Sequence, residues 1–293
     1  MLDNRNQVIV RLGGRLGNQM FQYATGRSLA ARLNTSVEIE GFAPDSSHKS
    51  RIEIIDAFQL QTTLHSVKSK SGLKWRSRIA RMGLPVRMRG LPMYVEPHFH
   101  YDPRFENIDG GRYLLGGWLS PRYFDGIRRE LLEDFSLKHP LSQNATRVKE
   151  SISEASCAIS IHVRRGDYIE NARTLARLGI CERGYYSDAI DLIQKMYPDS
   201  QYYVFSDEPE RARKELEGLN NLSFVSNNSQ EEDLYLMSSC QHNIIANSTY
   251  SWWAAWLNEN PEKSVIAPRQ WFGPALQSAN DTRDLFPENW RLI

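Results

Sequence analysis

The stretch "CAISIHVRRGDYIE" (Cys157–Glu170) decides the fold. An apolar run climbs to Ile161 and then breaks into His162, Val163, Arg164, Arg165, Gly166, Asp167 and Tyr168, and a strand is read over 157–163. A short apolar run that ends abruptly in charge reads as a buried strand opening onto a polar turn. The residues after it repeat the pattern. Helical spacing at 184–197 is followed by a strand at 201–206, a helix at 208–219 with Pro209 near its start, and a strand at 222–226. A helix at 229–240 capped by Ser229, a strand at 243–246, a helix at 250–259 and a strand at 263–268 complete the series. Strands alternating with helices predict a doubly wound parallel sheet, where ligands bind beyond the carboxyl ends of the strands.

Upstream, "QVIVRL" (7–12) reads as a strand, "GGRLGNQ" (13–19) as a glycine turn, 20–33 as a helix and "TSVEIE" (35–40) as a second strand. This is again the start of a parallel α/β unit. Residues 94–124 read as aromatic and turn-rich, and 124–137 as helical. The polar stretch 138–156 reads as a junction, giving domains 1–150 and 151–293.

On this reading the strand ends carry the chemistry. Arg164, Arg165 and Asp167 follow one strand, Asp207 and Glu208 the next, and Ser248, Thr249 and Ser251 a third. Gly14, Arg15 and Asn18 follow the first strand of the chain. A guanidinium is a planar fork of donors suited to phosphate. Hydroxyls and free backbone N–H groups at a helix start make an anion site. A carboxylate such as Asp207 accepts from the paired N–H donors of guanine. Taken singly, a surface salt bridge at Arg164–Asp167 or plain N-capping by Ser248 explains each group equally well. Their coincidence at neighbouring strand ends points to a nucleoside diphosphate. No G-x-x-x-x-G-K-[ST], no G-x-G-x-x-G and no D-x-D occurs, so arginine and hydroxyl groups are expected to neutralise the diphosphate without metal.

Composition sets the outer bounds. The chain has 293 residues, a net charge of +1, 41% hydrophobic and 24% charged residues. That balance gives no argument for nucleic-acid binding and fits a globular protein. Three widely spaced cysteines suit a reducing compartment. Neither a secretory leader nor a run long enough to span a bilayer is read from the sequence, and a cytoplasmic location is expected. Seven Trp and thirteen Tyr fit core packing or sugar stacking. Between Asp56 and Glu96 there is no acidic residue, while 68–89 is rich in Lys and Arg around Leu73, Trp75, Ile79 and Met82. This reads as a solvated basic helix or as peripheral contact with an anionic inner membrane.

Four blocks carry a family resemblance: "GGRLGNQMFQYATGRSLA" (13–30), "HVRRGDY" (162–168), "YVFSDE" (203–208) and "IIANSTYSWWAAWLN" (244–258). "PHFHYDPRF" (97–105) and "GGWLSPRYF" (116–124) add weaker matches. The chain resembles the α-1,2-fucosyltransferases of glycosyltransferase family 11, nearly end to end. The resemblance implies a GT-B-like pair of Rossmann-type domains facing a central cleft. It implies GDP-β-L-fucose as donor, inversion at the fucosyl carbon, no metal or other cofactor, and O2 of a terminal galactose in an oligosaccharide or lipid-linked glycan as acceptor. Carried over, Arg164 takes the β-phosphate and glycosidic oxygen, with Arg165 and Asp167 in support. His162 and Asp207 recognise guanine, and Ser248 and Thr249 hold phosphate oxygens. Asn18 stands at the reacting centre beside Gly14 and Arg15. His98, His100, Tyr101 and Trp118 are the candidates for acceptor contact. The chain departs from the pattern at Ala254, where Gly is expected, and at Leu119, where Gln is expected. Another acceptor or linkage, or a non-catalytic nucleotide-sugar or glycan-binding module, are the alternative readings. Glu40, Asp167, Glu208, His98 and His100 are open choices for a base.

Overall fold

The computed structural model describes residues 7–48, 50–68, 72–166 and 172–293. Asp167 and residues 69–71 of the basic segment lie outside the described residues. The chain forms two compact units, dividing after Lys138. Asn280–Phe286 returns to the first unit and Pro287–Ile293 to the second. Residues around position 150 form one helix, Gln143–Glu154, capped by Ser142 through its Oγ and the Ala145 N–H. It buries only Ala145 and Ile152, which is why the stretch reads as polar linker in sequence.

The N-terminal unit is built on strands β1 (Val8–Arg11), β2 (Val37–Gly41), β3 (Thr63–Ser66), β4 (Arg87–Met88), β5 (Leu91–Val95) and β6 (Arg112–Leu115). Their order is β3-β2-β1-β6-β5-β4. All pairings are parallel except β4 with β5. β1 is central and wholly buried, so it shows no alternation. Helix Leu16–Arg32 begins four residues before its periodicity predicts. The carboxylate of Glu53 accepts from the Leu16 N–H at 3.0 Å, and Gln19 Oε1 accepts from the Glu53 N–H at 2.8 Å. That cap comes from a distant residue and satisfies an orphan helix donor. β5 and β6 correct the turn-rich reading of 94–124. β6 is only "RYLL", yet it pairs with β1 at the sheet centre.

The C-terminal unit holds β7 (Cys157–Val163), β8 (Ser200–Ser206), β9 (Leu222–Phe224), β10 (His242–Ile244), β11 (Val265–Ala267) and β12 (Arg291–Leu292). The order is β12-β11-β10-β7-β8-β9 and every pairing is parallel. Counted from β7, this is the 3-2-1-4-5-6 order of a Rossmann sheet. Ile159, Ile161, Val163, Tyr202, Val204, Ile244 and Ile266 form its core with Tyr186, Ile190 and Ile193 of helix Arg183–Met196. Helix Ala172–Leu178 and the edge strand β12 are not foreseen from the pattern.

Candidate functional site

In the C-terminal sheet β7 and β10 are neighbours, yet the chain leaves β7 for β8 on the opposite side. This is the topological switch point, where open α/β sheets bind ligands. Arg164 follows β7; Asn247 and Ser248 follow β10 and lead into helix Thr249–Leu257.

Arg164 Nη1 lies 3.0 Å from Asp207 Oδ2, with its side chain about one-fifth exposed. Asp207 Oδ1 accepts from the Arg165 backbone N–H at 2.9 Å. A Cβ at Gly166 would collide with that carboxylate, so Gly166 is the residue that lets Asp207 close on the turn. Arg165, expected in support of Arg164, is an internal strut whose guanidinium faces the protein. It is 1% exposed. Its guanidinium donates to Glu215 at 2.6 Å and to the carbonyls of Arg164 and Cys181 at 2.7 Å each. It therefore acts on Arg164 by holding that residue's backbone. His162 is buried, and burial together with the Arg164 and Arg165 charges pushes its pKa down to about 3. The ring is neutral, and its Nδ1 has no hydrogen-bond partner among the described residues.

Ser248 caps helix Thr249–Leu257, its Oγ accepting from the Tyr250 N–H at 3.4 Å. Thr249 is the half-buried first residue of that helix. Asn247 is structural: its Nδ2 donates to Leu178 O at 2.8 Å and Trp271 O at 3.2 Å. A cavity of about 590 Å³, lined by Cys181, Asn247, Pro268, Gln270 and Phe272 among others, opens on the same edge.

The N-terminal sheet has its own switch point between β1 and β6. Gln22 ties the two following loops, accepting from the Gly13 N–H at 2.8 Å and donating to Gly116 O at 3.2 Å. Gly14 sits at φ +79°, and a Cβ there would lie 2.5 Å from Asn18 Nδ2. The turn thus requires Gly for both its backbone and its contact with Asn18. Arg15 is exposed and pairs with Glu53 at 2.9 Å. Next to β6, at the end of β5, stands Glu96. Its two oxygens accept from the N–H groups of Gly117 at 2.6 Å and Trp118 at 2.9 Å. Burial pushes its pKa up to about 7, against those two hydrogen bonds and the Arg81 charge, which lower it. Trp118 is held at φ +61°, a conformation that L side chains adopt at a cost of order 1–3 kcal/mol.

Two acceptor candidates are corrected. Trp118 is fully buried, packed with Tyr94, Phe105 and Tyr123. Tyr101 is 5% exposed, its hydroxyl donating to Glu106 and its N–H to Asp284. Neither ring presents a face to a sugar. His98 and His100 stack on each other at 3.6 Å and are half-buried. Glu40 is buried, and its carboxylate is occupied by Tyr113, Arg11 and Arg89. Burial alone would raise its pKa, but Tyr113, Arg89 and Arg11 hold the carboxyl below the usual range. Sequence reasoning missed Glu96, because β5 was not read as a strand; once it is, Glu96 stands at a carboxyl end.

Among the described residues, no group of three or more His, Cys, Asp and Glu is arranged to hold a metal ion, and no helix is long and apolar enough to cross a membrane.

Paired Rossmann-type units make this a GT-B glycosyltransferase fold. The solved structure of NodZ α-1,6-fucosyltransferase soaked with GDP-fucose matches it with a TM-score of 0.52 at 14% identity, over 86% of this chain and 92% of that one. The chain belongs to glycosyltransferase family 11, whose family model matches residues 112–293. It is 31% identical to the O-antigen biosynthesis glycosyltransferase WbnK of Escherichia coli over 95% of this chain and 98% of that one. An α-1,2-colitosyltransferase of the same species is 29% identical over 97% of each chain. The mouse (Mus musculus) galactoside 2-α-L-fucosyltransferase Sec1 is 29% identical over 85% of this chain and 63% of its own length.

Proposed function

We propose that this enzyme transfers L-fucose from GDP-β-L-fucose to O2 of a terminal galactose, with inversion. The observation that carries the donor half is the switch point itself. A guanidinium after β7 and a capped helix start after β10 stand on adjacent parallel strands of a Rossmann-ordered sheet. Relatives named for 2-α-L-fucosyl transfer to galactosides support the acceptor and linkage.

In this reading the C-terminal unit holds the donor and the N-terminal unit the acceptor. Arg164 leaves its pair with Asp207 for the diphosphate, while Asp207 keeps the Arg165 N–H and faces guanine beside His162. Ser248, Thr249 and the first N–H groups of their helix take phosphate oxygens. The acceptor oxygen forms a bond to the fucosyl carbon as the bond to the β-phosphate oxygen breaks, and the electron pair leaves on GDP. Arg164 meets that developing charge; a preorganised donor of this kind contributes roughly 3–4 kcal/mol to the transition state. Asn18, seated by Gly14, lies at the sugar. Glu96 takes the proton of the acceptor hydroxyl. A base whose pKa is near the working pH is both deprotonated often enough and strong enough to do so.

The test is transfer from GDP-fucose to a panel of β-galactosides, with released GDP quantified and the product linkage read by NMR. An α-1,2-fucosyl galactoside is expected. GDP release with a different linkage moves the reading to another acceptor position. GDP binding with neither transfer nor hydrolysis makes the protein a nucleotide-sugar-binding module. An activated colitose belongs in the donor panel, because one full-length relative carries that sugar in its name.

A further inference from the structure

We propose that helix Leu73–Arg81 and the turn that follows it, through Leu84, dock on an anionic lipid bilayer. Among the described residues five large apolar side chains are exposed, and three of them, Trp75, Met82 and Leu84, fall within these few residues. Their exposures are 53%, 75% and 54%. Isolated exposed apolar residues are ordinary, whereas a contiguous group marks a contact surface. The helix buries none of its residues. Only its inner face is used: Leu73 packs against the cluster of Ile9, Leu91 and Tyr113.

At about 100° per residue, Lys74, Trp75, Arg78, Arg81 and Met82 fall within an arc of roughly 120° on the other side. Lys74, Arg78 and Arg81 are exposed, and no described carboxylate lies within ion-pair distance of them. Arg76, by contrast, lies over the Trp75 ring and donates to the Met88 sulfur, and Arg89 pairs with Glu40. A solvated helix has no need of Trp and Met on its outermost face. An aromatic and aliphatic centre ringed by basic residues, with no acid anywhere from 57 to 95, matches the headgroup boundary of an anionic membrane. The position has a use. The Arg81 charge bears on Glu96, so an acceptor carried by lipid would be delivered beside the Glu96 turn. The docking itself does not depend on which acceptor that is.

The experiment is flotation of the whole protein with phosphatidylcholine vesicles, with and without phosphatidylglycerol. Binding is expected only with phosphatidylglycerol and is expected to fall in high salt. Arg78→Glu, a change of two charges, should weaken it by about 30-fold, at roughly 1 kcal/mol per charge. Trp75→Ser combined with Met82→Ser should weaken it by about tenfold or more. Transfer to a free oligosaccharide should be unchanged in every variant, which verifies their fold. No flotation at low salt, or equal flotation on neutral vesicles, overturns the proposal. So does binding that survives the Trp75 and Met82 changes and is matched by a short RNA, since that marks a general polyanion surface.

Discussion

The switch point of the C-terminal sheet carries Arg164, a capped helix start and a carboxylate that holds the arginine in place. The switch point of the N-terminal sheet carries glycine turns, the Asn18 amide and Glu96, whose pKa is raised to about 7. The two sheets are close in topology and differ in charge. A leaving diphosphate is strongly anionic and calls for fixed positive charge. An attacking sugar hydroxyl is neutral and calls for positioning and a tuned carboxylate. The contrast also appears in burial. The charged site is braced from beneath by Arg165, and the neutral one is braced by Gln22 and by aromatic packing around Trp118.

Breaking the charged side should have the largest effect. Arg164→Ala is expected to lower kcat by about 100- to 1,000-fold, with the unfolding temperature nearly unchanged. Arg164→Lys should recover little, because a point charge lacks the planar fork. Near-normal turnover in Arg164→Ala would remove the leaving-group assignment.

Glu96→Gln tests the neutral side and should cost about 100-fold in transfer. In the parent protein kcat/KM should rise with pH to a plateau above about 7, the free-enzyme pKa of Glu96. That limb should vanish in Glu96→Gln. A limb that persists, with only stability lost, would leave Glu96 as a support for the Trp118 turn. The same group has a stability signature of defined sign. Its folded pKa lies above the usual 4.5, so the native state binds the proton more tightly. Its contribution is full below about 4.5 and is lost as pH rises through about 7. The difference in unfolding temperature between parent and Glu96→Gln, followed across that window, isolates it.

Asn18→Ala should reduce kcat by about tenfold or more while GDP affinity, measured by calorimetry, stays the same. A matching loss of GDP affinity would move Asn18 to the donor side of the comparison. Ser248→Ala should have the smallest effect, about 1 kcal/mol of stability from the lost cap, with a few-fold weaker GDP binding. A neutral result for GDP would reduce Ser248 to a cap alone.

Much of the C-terminal unit was legible because its inner strands β7, β8, β10 and β11 are largely buried and punctuated by charge. The run 157–163 coincides with β7, and the caps at Ser229 and Ser248 stand where their helices start. The N-terminal unit was half legible. β1, helix Leu16–Arg32 and β2 announce themselves, but β5 and β6 are short and sit among aromatics and turns, so Glu96 was hidden. Arg164 and Arg165 are adjacent and chemically identical. The sequence distinguishes them only through the family resemblance, whereas the structure separates them by burial and by what each guanidinium touches.

By itself, then, the sequence determined the strand–helix alternation, the placing of polar groups at strand ends and the family. These depend on local period and on residue type. Tertiary structure alone decided which groups are spent and which remain available. Arg165 is consumed by Glu215, and Glu40 by Tyr113, Arg89 and Arg11. Trp118 and Tyr101 are enclosed by the aromatic core. Glu96 is lifted by burial into the range of a base. Availability and proton affinity depend on neighbours far apart along the chain, and only folding brings those neighbours together.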